Sequence, residues 1–358
     1  MRLSDLNYDL PDELVAQVPA AERDASRLLV LDRGTGAASH RAFRELPALL
    51  RLGDVLVLND TKVIPARLAV RWETGGAVEL LLVREVERGL WEAMVKPAAK
   101  ARPGRHIAIG DGGKAQVAGY AGPGRRLLLF DLGTDVRALM DRHGHMPLPA
   151  YIRRPESRVP SPASADSAFR NPHSALDRER YQTVYAREEG AIAAPTAGLH
   201  FTEALLGAIA EGGIEVRRLT LHVGPGTFRP IGAARIQDHR MEAERYVIPE
   251  VTAQAVKAAK AEGRRVIAVG TTAVRALEHS ALRGGDVQAG PAEADLFIAP
   301  GHRFRIVDAM LTNFHLPGST PLVLVAALAG LNGIKAAYAE AVARGYRFYS
   351  YGDAMLIL

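Results

Sequence analysis

The chain has 358 residues, 48% of them hydrophobic and 24% charged, which leaves room for two domains or for one large domain with an insertion. It has no cysteine, which excludes disulfides, thiolate catalysis and cysteine-held zinc or iron–sulfur clusters, and no apolar run long enough to cross a bilayer. The formal net charge of +5 suits a polyanionic partner, although an arginine-rich composition alone produces the same balance; the first residues lack the apolar core of a signal peptide, so a cytoplasmic protein with no membrane partner is expected.

Pro11 opens a short helix expected over 11–17. Strands are expected over 27–32 and 55–58, with an amphipathic helix over 43–51 between them. The pattern changes at about residue 66. Short alternating runs at 67–72, 78–83, 91–95, 107–109, 115–120 and 126–130 are separated by glycine-rich turns, such as Gly75-Gly76 and Gly122-Pro123-Gly124. This spacing predicts an antiparallel barrel or sandwich inserted over 66–146. The stretch 155–180, rich in Pro, Ser, Ala and Arg, reads as a long exposed loop. Helices at 202–211, 251–262 and 272–282 then alternate with strands at 214–223 and 265–269, and late helices lie near 319–331 and 333–344. Such alternation predicts a discontinuous α/β domain, 1–65 plus 147–358, on a mixed or mostly parallel sheet, Rossmann-like or shaped as a distorted barrel. The run 346–353, where Arg347 is interleaved with Tyr and Phe, reads either as a base-stacking segment or as a C-terminal core strand.

Four segments share one design, an apolar run that stops at polar residues: Ala191 to Thr202, Leu219 to Phe228, Val266 to Arg275 and Met310 to Thr320. In α/β folds, ligands bind where strands end. These segments place His200, His222 and His315 at candidate strand ends, and His239 follows in a further polar stretch. No His-x-x-x-His pair or other metal-ligand spacing occurs. General acid–base chemistry is therefore the better reading of these histidines than a metal site completed by Glu242 or Glu244, and no metal is expected. A buried, backbone-satisfied histidine is the plainer reading of any one of them. Gly224-Pro225-Gly226 lacks the third glycine and the helix of a dinucleotide fingerprint, and serves as a turn or a close approach to a ligand. Thr271 and Thr272 open a helix whose N–H groups favour a carboxylate or phosphate, or they simply cap it; Arg275 and Glu278, at i and i+3, are expected to pair. Asn59-Asp60-Thr61 follows another apolar run, as an Asx turn or a ligand contact.

Taken together, these motifs resemble the S-adenosylmethionine:tRNA ribosyltransferase-isomerase family of queuosine biosynthesis. The resemblance is carried by Asp24 to Asp32, Val57 to Leu68, Met146-Pro-Leu-Pro149, Tyr181 to Ala186, Ala193 to Phe201, Leu221 to Phe228, Val269 to Arg275, Thr312 to Thr320 and Tyr346 to Asp353, in family order along nearly the whole chain. The chain departs from the family in a few places. Glu242 stands where family members carry a second histidine, Ala150 where they carry proline and Ala294 where they carry threonine, and the loop at 155–180 is longer. The resemblance implies a ribosyl transfer from S-adenosylmethionine to 7-aminomethyl-7-deazaguanine at the tRNA wobble position, giving epoxyqueuosine-tRNA, adenine and methionine. It also implies a large α/β domain with an inserted β-barrel. On this reading His200, His222, His239 and His315 are candidates for acid and base. Thr271, Thr272 and Arg275 suit the methionine carboxylate, while Asp60, Asn313 and Glu244 suit ribose hydroxyls or the adenine edge. Arg153 and Arg154 are candidate RNA phosphate contacts. The alternatives are a metal-dependent α/β hydrolase and a non-catalytic RNA-binding protein with an OB-like barrel.

Overall fold

The computed structural model describes residues 2–110, 112–154, 173–228, 231–232 and 235–358. The strands are β1 Arg27–Leu31, β2 Ala38–Ala42, β3 Val55–Asn59, β4 Thr61–Val63, β5 Arg67–Trp72, β6 Ala77–Glu87, β7 Leu90–Lys96, β8 His106–Ile109, β9 Gly113–Tyr120, β10 Arg125–Phe130, β11 Glu188–Ala191, β12 Glu215–Leu221, β13 Glu244–Ile248, β14 Val266–Val269, β15 Gly290–Ala294, β16 Ala309–Asn313 and β17 Ala354–Ile357. The helices are α1 Leu46–Leu49, α2 Val136–His143, α3 Ser174–Arg180, α4 Glu203–Glu211, α5 Glu250–Ala261, α6 Thr271–Gly284, α7 Thr320–Ala329 and α8 Leu331–Ala343. The chain divides into two compact units. One comprises 1–62, 183–188 and 194–358, and the other 63–182 and 189–193, a wider span than the 66–146 expected from sequence.

The larger unit is built on a nine-stranded mixed sheet in the order β15-β13-β12-β3-β14-β16-β17-β1-β2. Its heart is parallel: β12 pairs with β3, β3 with β14, and β14 with β16. β3, β14 and β16 are buried at every position, as strands covered on both faces require. The flanking β13, paired antiparallel to β12, alternates buried and exposed residues instead. Because β3, β12, β14 and β16 run the same way, their C-terminal ends share one edge of the sheet.

Local chemistry sets the helix starts. Thr202 caps α4 through the Leu205 N–H at 3.1 Å, and Ser319 caps α7, whose second residue is Pro321. α7 is apolar on all sides and largely buried, as a core helix must be. Among the described residues no single helix is long and apolar enough to cross a membrane; α7 and α8 reach that length only as a pair bent by 114°.

The smaller unit is organised around a closed six-stranded antiparallel barrel, β10-β7-β6-β5-β8-β9. Alternation puts Leu68, Val70, Leu80, Trp91, Ile107, Val117, Leu128 and Phe130 in its core. Helix α2 is not among the expected elements. Asp135 caps it through the Ala138 N–H at 3.0 Å, and it buries Val136, Leu139 and Met140, an i, i+3, i+4 stripe.

Several expectations are corrected. The helix at 11–17 is only a 3-10 turn, Asp12–Leu14. The helix at 43–51 splits into a 3-10 turn, Phe43–Glu45, and α1, because Pro47 withholds a backbone donor. The run before Pro195 is not a strand beyond Ala191. The run 346–353 is not a strand either: β17 starts at Ala354, and Tyr346 and Phe348 are buried. The loop expected over 155–180 contains α3, while 155–172 lie outside the described residues.

Candidate active site

At the end of β3, Asn59 is fully buried and works in both directions. Its Oδ1 accepts from the Leu221 N–H at 2.9 Å, and its Nδ2 donates to the Leu221 carbonyl at 3.0 Å and to Thr272 Oγ1 at 3.1 Å. One amide therefore ties the ends of β3 and β12 to the start of α6. Asp60, 1% exposed, accepts from Thr220 Oγ1 at 2.7 Å and meets Arg187 at 3.3 Å; burial nevertheless raises its carboxyl above the usual range. Thr61 Oγ1 shares a 2.8 Å hydrogen bond with His222 Nδ1, just past β12. His222 is half-buried.

Helix α6 starts directly from β14. Gly270, at φ +85°, makes the sharp entry, and no side chain caps the helix. The expected cap by Thr271 or Thr272 is thus corrected. Thr271 and Thr272 line a cleft with Met241, Arg275, Phe297 and Thr320. An uncapped N-terminus on a 14-residue helix leaves its first N–H groups, at the positive end of the dipole, without a side-chain acceptor among the described residues.

Arg275 does not pair with Glu278. Its guanidinium contacts Glu244 Oε2 and donates to the carbonyls of Ala294, at 2.8 Å, and Leu296, at 3.2 Å. Glu278 is withdrawn by three backbone N–H groups, of Arg305, Ile306 and Val307, at 2.9–3.0 Å. Glu244 uses its other oxygen to hold the Gly224 N–H at 2.9 Å, so the Arg275–Glu244 pair positions the Gly224-Pro225-Gly226 turn. His239 is half-buried with its ring edge-on to Phe297 at 5.0 Å, and burial lowers its pKa.

The remaining two histidines are tied down. At the end of β16, Asn313 Nδ2 donates to the Tyr349 carbonyl at 3.0 Å and to His200 Nε2 at 3.2 Å. An amide nitrogen only donates, so Nε2 of His200 accepts, and its Nδ1 carries the hydrogen that goes to Ser26 Oγ at 2.7 Å. Both ring nitrogens are engaged, the ring stacks on Phe43, and burial, with Arg23 and Arg347 nearby, pushes its pKa down to about 3. Tyr349 holds its carbonyl in place from a left-handed backbone, φ +71°, an uncommon conformation for tyrosine. Asn313 Oδ1, buried, has no hydrogen-bond partner among the described residues. His315 Nε2 meets Thr312 Oγ1 at 2.7 Å, its N–H donates to the Tyr338 hydroxyl, and its carbonyl accepts from the Tyr8 hydroxyl; burial pushes its ring to about 3 as well.

Sequence reasoning did not single out Ser26, Tyr185 or Tyr349, although all three stand inside the quoted motifs. Tyr185 packs its hydroxyl so close to Gly198 that any Cβ there would collide with it, and among the described residues that hydroxyl has no hydrogen-bond partner. Arg153 is exposed, but Arg154 is buried and bidentate on Asp177, at 3.0 and 2.7 Å. The guanidinium expected to meet a phosphate already holds a carboxylate. Among the described residues no three histidine, aspartate or glutamate side chains converge to hold a metal ion.

The fold and site together describe an α/β enzyme with a polar strand-end site and an inserted barrel. The chain belongs to the queuosine biosynthesis protein family, whose model matches residues 3–357. Similar proteins include two named S-adenosylmethionine:tRNA ribosyltransferase-isomerase. That of Trichlorobacter lovleyi is 50% identical over 358 residues and that of Symbiobacterium thermophilum 51% identical over 363 residues, each alignment covering 100% of both chains. A crystal structure of S-adenosylmethionine tRNA ribosyltransferase from Thermotoga maritima is 36% identical, with a TM-score of 0.54 over 99% of this chain and 100% of that one. None of these likenesses supports the hydrolase or the non-catalytic reading.

Proposed function

We propose that this enzyme moves and isomerises the ribosyl part of S-adenosylmethionine onto 7-aminomethyl-7-deazaguanine at the tRNA wobble position, releasing adenine and methionine and leaving epoxyqueuosine-tRNA, in the cytoplasm. The observation that carries the reading is full-length likeness to proteins named for this activity, at about half identity. The positively charged sulfur of the co-substrate acidifies the adjoining ribose carbon and supplies the electrophile, so no metal is given a part.

His222 and His239 are assigned the acid–base work. Both are half-buried, His222 with Nδ1 on Thr61 and His239 with its ring on Phe297. His200 and His315 are assigned positioning roles, because hydrogen bonds engage His200 at both nitrogens and burial keeps both rings neutral. The open start of α6 at Thr271 and Thr272 suits the methionine carboxylate. Arg275 serves that cleft indirectly: Glu244 balances its charge, and the pair fixes the Gly224 turn. The unpartnered oxygen of Asn313 suits a hydroxyl or amine donor of the nucleoside. Asp60, under Thr220 and Arg187, holds the neighbouring turn.

The test is to incubate the protein with S-adenosylmethionine and precursor-bearing tRNA, then to digest the tRNA and weigh its nucleosides. Epoxyqueuosine together with free adenine is the expected result. Unchanged tRNA with intact co-substrate overturns the reading.

A further inference from the structure

The barrel carries a polar surface that the site above does not use. Residues 93–110 contain no Asp or Glu, yet they hold Lys96, Lys100, Arg102, Arg105 and His106. Lys96, Lys100 and Arg102 are exposed. The segment is not a loose charged loop. Arg126 lies buried beneath it and donates to the carbonyls of Ala101 at 2.5 Å and Ala98 at 2.7 Å, which pins the turn Ala98–Lys100 to β10. The backbone is fixed further along, where the Gly104 N–H meets the Val117 carbonyl and the Val117 N–H meets the Arg105 carbonyl, both at 2.8 Å. The Arg126 guanidinium also lies 4.6 Å from the ring centre of Tyr120, a side chain 62% exposed to solvent. Two barrel carboxylates are already matched: Glu92 by Arg84 and Arg125, Glu73 by Lys114.

An exposed ring held rigid on a buried guanidinium, beside exposed cations on a pinned turn, has the two parts that single-stranded nucleic acid needs. Cations meet the backbone, and an aromatic face takes a base. An anionic membrane also draws the cations, but it offers nothing to stack on the ring. We propose that this rim of the barrel binds RNA, with Lys96, Lys100 and Arg102 on phosphates and Tyr120, backed by Arg126, stacking an unpaired base. The assignment of tRNA as that RNA rests on the proposed function; the surface itself does not depend on turnover.

Affinity for precursor-bearing tRNA, measured by fluorescence anisotropy across a salt series, tests it. In the triple variant Lys96→Ala, Lys100→Ala, Arg102→Ala, the log–log salt slope is expected to flatten by about two units or more, at roughly 0.7 to 0.9 per phosphate contact. A triple control at exposed positions of the larger unit, Arg33→Ala, Arg41→Ala, Lys335→Ala, should keep the wild-type slope. Tyr120→Leu should weaken binding about five-fold or more with the slope unchanged, which is the mark of a lost stack, while Tyr120→Phe should bind as wild type. Affinity for S-adenosylmethionine should not move in any of them. A barrel triple variant that behaves like the control, or a Tyr120→Leu protein with wild-type affinity, overturns the proposal. Normal tRNA binding without epoxyqueuosine would count against the reaction and leave the surface standing.

Discussion

Where β3, β12, β14 and β16 begin, the sheet edge is charged and paired. Asp54, just before β3, is bidentate on Arg265 at 2.5 and 3.0 Å; Asp308, before β16, meets Lys260 at 2.6 Å; Glu215, opening β12, meets Arg264 at 3.0 Å. Where the same strands end, amides, hydroxyls and imidazoles dominate: Asn59 on Thr272, Thr61 on His222, Asn313 on His200. The difference is chemical. Ion pairs close a layer by matching fixed charges, and their groups serve little else. Neutral donors and acceptors can meet a ligand without a fixed counter-charge, and among the described residues one of them, Asn313 Oδ1, has no hydrogen-bond partner. The same sheet is thus held at one edge and available for chemistry at the other, as expected where parallel strands end.

The comparison is tested most severely at its chemical edge. His222→Ala should lower turnover roughly 100- to 10,000-fold, the scale of lost acid–base catalysis, with an unchanged thermal transition. His200→Ala should instead lower the melting temperature along with activity, because it leaves Ser26 and Asn313 without their shared partner. A melting loss confined to the His222 variant would reverse the two roles. The closing edge should respond in the opposite sense. Asp54→Ala leaves Arg265 without its buried carboxylate and should cost about 3–5 kcal/mol in urea unfolding, while kcat of the folded fraction stays near normal.

Much of this contrast was legible in the sequence, because it depends on where apolar runs stop. The run over 55–58 reads as a strand followed by Asn59, and the run from Met310 as one that stops at polar residues; the strands extend to the amides, β3 to Asn59 and β16 to Asn313. The two-residue alternation made an antiparallel barrel or sandwich legible, and closure of the six strands decides for the barrel. Partner choice was not legible. Helix spacing offers Arg275 only Glu278, but the folded chain brings Glu244 from β13 and gives Glu278 to the backbone of 305–307. Ser26 reaches His200 across 174 residues, which no local pattern encodes. The left-handed Tyr349 is equally silent, since tyrosine has no preference for that conformation. Helix α2 did leave a signal, an aspartate cap before an i, i+3, i+4 apolar stripe, masked by the strands around it.

A pH series separates the neutral histidines from the ion pairs. His200 has a folded pKa of about 3 against an unfolded value near 6.5. Between these values the unfolded chain binds a proton that the folded chain refuses, so stability falls as pH drops through that window, by about 1.4 kcal/mol per pH unit from this one group. His315 adds in the same direction. The raised carboxyl of Asp60 acts oppositely: its folded form keeps a proton that the unfolded chain has lost, so its contribution fades as pH rises through the folded pKa. Urea midpoints should therefore fall from pH 7 to pH 5, and the fall should be shallower in His200→Asn. An equal slope in both proteins would mean that His200 protonates in the folded state.

The smallest expected effect lies at Arg153 and Arg154, neighbours in sequence that the structure treats as differently as the two edges of the sheet. Arg154 is buried and bidentate on Asp177, so it belongs with the closing pairs; Arg153 is exposed. Arg154→Ala should lower thermal stability and leave the salt dependence of tRNA binding intact, because no phosphate contact is lost. Arg153→Ala should flatten the salt slope, by about one unit or less. That is smaller than the change expected from the three cations of the barrel rim, because a single arginine makes at most one such contact. If Arg153→Ala leaves the slope untouched, its charge serves the protein's own surface, and phosphate recognition rests on other residues. If Arg154→Ala flattens the slope without loss of stability, its pairing with Asp177 is exchanged for RNA when the two meet, and the grouping of Arg154 with the closing pairs fails.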